Sequence, residues 1–183
     1  MKNLLVTISA LIIGLSAHAQ GTIQFSTFNS ARGVNAPFYA PGGTAGGIGI
    51  GSLGTVNAQL FLVGTGGAVT ALTPATTFNT AGGAASRYVL IPTSNVIVPG
   101  VPAGGSATVL MRAWMGDSYE TATIRGQTAP LTVNNLGGIP PGGGAPLQPA
   151  VLAGLQGFEV FPEPSTLAFG LLGAAALLLR RRR

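Results

Sequence analysis

The sequence predicts an all-β protein: a single β-sandwich or jelly-roll-like domain, flanked by an N-terminal signal helix and a short C-terminal transmembrane helix. Three observations predict it. Short apolar segments with period-two alternation recur through residues 20–161. Turn signals separate them, in a chain of 183 residues with 29 glycines and 13 prolines, well above ordinary usage. The two continuous apolar runs lie at the ends, one after Lys2 and one before Arg180, Arg181, Arg182 and Arg183.

The first element is "MKNLLVTISALIIGLSAHAQ". Lys2 gives a positive start, residues 4–15 an apolar centre, and Ala17-His18-Ala19 a small-x-small pattern. This is the layout of a cleaved signal peptide over residues 1–19, with Ala17 and Ala19 before the cut and Gln20 as the first mature residue. The stretch is shorter than the roughly 20 apolar residues that a stable membrane span needs.

The body, residues 20–161, reads as strand after strand. "GTIQFST" turns Ile23 and Phe25 to one face; "APFYA", "AQLFLV", "SRYVLIP", "SNVIVPG", "SATVLMRAWM", "APLTVN" and "GFEVF" follow. Between them stand "PGG", "GTGG", "TAGG", "PAGG", "MGDS" and "PPGGG". No stretch of the body has helical periodicity. Residues 106–115 are the most informative: Val109, Met111, Ala113 and Met115 share one face, and Thr108, Leu110, Arg112 and Trp114 the other. Both faces are mostly apolar, which marks a central strand, and Trp114 belongs to the core or a sheet face rather than to a stacked ligand.

Residues 41–54 and 137–149 are so poor in large side chains that they are predicted loops. The first contains Gly49-x-Gly51-x-x-Gly54, a formal dinucleotide fingerprint. It fails on context, because "TVNAQLFLV" after it is a strand rather than a helix, and no acidic residue precedes Asp117 to hold a ribose.

The last element starts at Pro162-Glu163-Pro164. The two prolines keep Glu163 extended, and Pro164 suits the first position of a following helix. Residues 165–179 are predicted as a short transmembrane helix, about 20 Å long if fully helical against a hydrocarbon core of about 30 Å. Arg180, Arg181, Arg182 and Arg183 would snorkel to the headgroups and hold the orientation, leaving residues 20–161 on the outer side.

Charge and chemistry exclude several function classes. Only 7% of residues are charged, and the net charge of +5 belongs to Lys2 and the terminal arginines. In the body Arg32, Arg87, Arg112 and Arg125 stand against Asp117, Glu120 and Glu159, with Glu163 just beyond. Dispersed, balanced charges do not make a phosphate-binding surface, so no nucleic acid is expected as a partner. The sequence has no cysteine, its single histidine is His18, and its single lysine is Lys2. The body therefore lacks the usual means of activating a serine and the usual zinc ligands; no catalytic residue, metal or cofactor is expected. Asp117 and Glu120 form the one nearby carboxylate pair of the body, in "GDSYE", whose place between two strands predicts a hairpin.

The order Pro162-Glu163-Pro164, Ser165-Thr166, a Gly-containing apolar helix and a terminal arginine cluster resembles the PEP-CTERM sorting signal of exported proteins of Gram-negative bacteria. The resemblance covers residues 162–183. It implies processing by an exosortase, an integral-membrane enzyme, with the general secretion machinery as an earlier partner and exopolysaccharide as company. The body also resembles, more loosely, exported proteins that carry this tail, through "AQGTIQFS", "VNAPFY", "AQLFLV", "VPGVPAGGSATVLMRAW" and "YETA". That likeness argues for one domain over 20–161 and brings no activity with it.

These readings together lead to a non-enzymatic exported protein, transiently anchored in the inner membrane with its body in the periplasm, then sorted to the cell surface or extracellular matrix. The alternative is a secreted carbohydrate- or exopolysaccharide-binding β-sandwich module. Phe38, Tyr39, Tyr88, Trp114 and Tyr119 discriminate the two, since two or three of them exposed in one plane would favour glycan binding.

Overall fold

The computed structural model describes residues 20–162. In chain order the strands are β1 (Gln20–Ile23), β2 (Phe28–Asn29), β3 (Val34–Asn35), β4 (Val56–Val63), β5 (Val69–Ala71) and β6 (Thr76–Thr77). They continue with β7 (Val96–Pro102), β8 (Ala107–Met115), β9 (Ile124–Gln127), β10 (Leu131–Val133) and β11 (Phe161–Pro162).

The two strands richest in large apolar residues, β4 and β8, pair with each other along most of their length, from Val56 opposite Met115 to Leu62 opposite Val109. They form the centre of an antiparallel seven-stranded sheet of order β11-β9-β8-β4-β5, with β10 also on β8 and β6 also on β4. The alternation read from residues 106–115 holds: Val109, Met111 and Ala113 are fully buried on the inner face. On the outer face Leu110 lies opposite Phe61, and Leu110 and Trp114 are also buried. Such a strand has no solvated side, as its sequence predicts.

The inner face packs on a ribbon of β1 and β7, which delivers Ile23, Val96 and Val98 to the same core as Val56, Ala58, Leu60 and Met111. Phe25, Phe38 and Phe78 fill the space between, each fully enclosed. Burying each of these rings stabilises the fold by roughly 1.5–3 kcal/mol. Phe38 meets Phe78 and Phe158 edge-on, with centroids 5.4 and 4.9 Å away.

The sandwich or jelly-roll expectation is corrected. Opposite the large sheet lie only the two-stranded β1–β7 ribbon, the β2–β3 pair and irregular chain, and the large sheet stays open at β11 and β5. Two segments expected as strands explain the difference. "SRYVLIP" is entered through Gly82 and Gly83, both at positive φ (76° and 60°), which turn the chain into the 3₁₀ segment Gly83–Arg87. "APFYA" touches its neighbours by isolated bridges of Tyr39 to Gly49 and to Glu159. The loop expectation for residues 41–54 is also revised, because Ile50 sits wholly inside the core.

The flanking helices need correction too. Among the described residues the α-helix Gly43–Gly46 has 4 residues and the longest 3₁₀ segment has 5. None of these is long and apolar enough to cross a membrane. The signal helix expected over residues 1–19 and the transmembrane helix expected over 165–179 lie outside the described residues. The described structure is a β domain alone, and the inner-membrane-anchored stage has no element in it.

Candidate functional site

Of the residues that the sequence singles out for sorting, the structure describes two. Gln20 opens β1 and pairs with Pro102. Pro162 closes β11, opposite Ile124 of β9. Ala17, Ala19, Glu163, Pro164, Arg180, Arg181, Arg182 and Arg183 lie outside the described residues.

The five aromatics chosen to test for a glycan platform go to different places. Phe38 is enclosed in the core and Trp114 is nine-tenths buried. Tyr39 lies under the Arg87 guanidinium, which is 5.6 Å from its ring centroid. Tyr119 has the guanidinium groups of Arg112 and Arg125 at 4.4 and 5.3 Å, and stands edge-on to Trp114. Tyr88 pairs instead with Phe28, at 4.8 Å between centroids with their planes tilted by 41°. No two of the five chosen rings form an exposed coplanar surface among the described residues.

The arginines of the body act as clips. Arg112 also stacks over Phe61 at 4.7 Å, reaches Gln127 Oε1 at 3.3 Å and pairs with Glu120 at 3.5 Å. Arg125 donates to the carbonyls of Tyr119 and Glu120, at 2.8 and 2.6 Å. Together they fasten the "GDSYE" turn to the outer face of the sheet, which accounts for Glu120 by structure rather than by acid–base chemistry. Arg87 donates to the carbonyl of Gly47, and Arg32 to that of Pro149. Among the described residues no group of three or more His, Cys, Asp or Glu side chains could hold a metal.

The glycines of the dinucleotide-like segment are used for close packing. Residues Ile50–Leu53 form a 3₁₀ turn that leads into β4. A side chain at Gly49 would collide with the backbone of Ser86, and one at Gly51 with the carbonyl of Asn79. Two loops cross there with no room for a Cβ, so the segment has no cradle for a pyrophosphate.

Glu159, which the sequence shows only as part of the charge balance, fastens the last segment of the domain. Tyr39 N–H donates to Phe158 O and Val160 N–H to Tyr39 O, placing Glu159 beside the turn at residues 42–44. Its carboxylate accepts the N–H of Gly42, the N–H of Thr44 and the Thr44 hydroxyl. The Thr44 hydroxyl first, then the Gly42 N–H, hold this carboxyl below the usual carboxylate range.

An open cleft of about 460 Å³ lies between Phe28 and the 79–91 segment, with Tyr88, Val89 and Ile91 on its walls. Sequence reasoning missed it, because Phe28 stands alone in "STFNS" and carries no motif. No family model, no curated protein and no solved structure matches the chain.

Proposed function

We propose that this chain is a non-enzymatic exported protein, sorted to the cell envelope surface or extracellular matrix when an exosortase-type enzyme processes it at Pro162-Glu163-Pro164. The observation that supports this reading is where the motif falls relative to the core. The most C-terminal core residue among those described is Val160, and Pro162 sits on the open edge of the sheet. Loss of residues 163–183 removes none of the described core and carries away four of the nine Lys and Arg residues of the chain. A tail that carries a cluster of positive charge, separable from a nearly neutral body, suits a removable address. Among the described residues, Phe38, Tyr39, Tyr88, Trp114 and Tyr119 form no coplanar exposed platform that would support the glycan-binding alternative.

Intact-mass analysis of the protein recovered from its native host tests the reading. The expected product lacks the tail from about Pro162 onward. A mature product that retains Arg180, Arg181, Arg182 and Arg183 overturns it.

A further inference from the structure

We propose that the cleft between Phe28 and the 79–91 segment binds a neutral, mostly apolar small molecule that carries one hydrogen-bond acceptor. Phe28 and Ile91 flank the cleft with 49% and 57% of their surface exposed. Large apolar groups gathered around a concavity mark binding sites more often than scattered surface ones do. At about 460 Å³ the cleft falls within the size range of small-molecule sites, roughly 300–1,000 Å³.

The walls are set before any ligand arrives. The Tyr88 hydroxyl donates to Asn35 Oδ1 at 2.9 Å, and the Tyr88 ring packs against Phe28. Phe28 and Asn35 are themselves partners in the β2–β3 pair. Val89, on the buried side, donates its N–H to Thr27 Oγ1 at 3.1 Å. Rings held in this way lose little conformational entropy on binding.

The polar groups define the chemistry. Ser26 Oγ is occupied, donating to Phe28 O at 2.8 Å and accepting the Phe28 N–H at 3.3 Å. Asn79 Oδ1 accepts the Ala81 N–H at 2.8 Å, which settles the orientation of the amide. Asn79 Nδ2 then remains as a donor to which the described residues supply no acceptor. Among the described residues no charged side chain lines the cleft, and the guanidinium of neighbouring Arg87 is turned to Gly47 O and the Tyr39 ring. An ion would give up part of its hydration here without a counter-charge, and a sugar would leave the hydroxyls turned to these walls unpaired. A molecule with one carbonyl or similar oxygen for Asn79 Nδ2 and an apolar remainder avoids both penalties.

The test uses the full-length chain and two neutral fluorescent probes: Prodan, a naphthalene bearing a ketone, and N-phenylnaphthylamine, which has no carbonyl. Both are expected to bind saturably with blue-shifted emission. Phe28→Ala and the cleft-filling Ala85→Phe should each weaken both probes by about tenfold or more, the loss expected for a central aromatic contact. Asn79→Ala should weaken Prodan alone. Ala85 is exposed, so Ala85→Phe should keep the thermal unfolding transition of the parent, and Ile91→Ala gives a second, smaller truncation if it does not. Absence of saturable binding, or affinities unchanged in Phe28→Ala and Ala85→Phe, overturns the site. Equal affinity for anionic anilinonaphthalene sulfonate overturns the neutral ligand class.

Discussion

Thr128 and Met111 exchange two hydrogen bonds where the sheet changes strand partners: Thr128 N–H donates to Met111 O, and Met111 N–H donates to Thr128 Oγ1, both at 2.9 Å. β9 pairs with one end of β8 and β10 with the other. The threonine hydroxyl thus stands in for a backbone carbonyl at the interruption between them. Thr128→Val keeps the shape but leaves the buried Met111 N–H without an acceptor, and should destabilise the domain by about 1–3 kcal/mol in urea unfolding. Thr128→Ser keeps the oxygen and should recover most of that loss.

Glu159 should give the domain an acid-sensitive contribution. Its folded pKa is lowered, so its stabilising contribution is complete above the unfolded value, near 4.5, and is lost as pH falls through the folded value. Glu159→Gln should therefore lower the melting temperature at pH 7, and the gap to the parent should close in strong acid. A gap independent of pH would assign the effect to packing.

Arg112 is predicted to matter through its plane more than through its charge. Its guanidinium lies 4.7 Å from the Phe61 centroid and 4.4 Å from that of Tyr119, while its ion pair with Glu120 is largely exposed on the acid side. Arg112→Lys keeps the charge and loses the planar stacking, at a cost of roughly 1 kcal/mol. Glu120→Gln should cost less than about 0.5 kcal/mol and respond to salt. Emission from Trp114, the single tryptophan, follows both unfolding transitions.

Gly51 and Gly46 should respond oppositely to alanine. A Cβ at Gly51 runs into the backbone of Asn79, so Gly51→Ala should cost about 1–3 kcal/mol. At Gly46, within the short helix Gly43–Gly46, a Cβ meets only the Ile48 side chain at 3.6 Å. Gly46→Ala should be neutral or stabilise by up to about 1 kcal/mol, as expected for glycine replacement in a helix. Chemical denaturation of the two variants checks the pair.

What the sequence determined by itself was local. Period-two alternation in residues 106–115 is enough to place Met111 and Trp114 on opposite faces of a central strand, because adjacent side chains on a strand must point apart. The near-neutrality of the body and its want of histidine, lysine and cysteine are likewise properties of the chain alone. β9, "IRGQ", carries no such alternation; it becomes a strand because Arg112 opposite Gln127 and Trp114 opposite Arg125 offer it a ladder. The second layer could not be read either, since turns such as Gly82-Gly83 divert chain whose composition favours strands.

The cleft and the Glu159 clasp were decided only by tertiary structure. Glu159 and Gly42 are 117 positions apart, and Tyr88 and Asn35 are 53. No local preference encodes a contact across that distance. It exists because burying the core that Phe38, Phe78 and Val160 share brings the segments carrying Tyr39, Tyr88 and Glu159 into reach of one another.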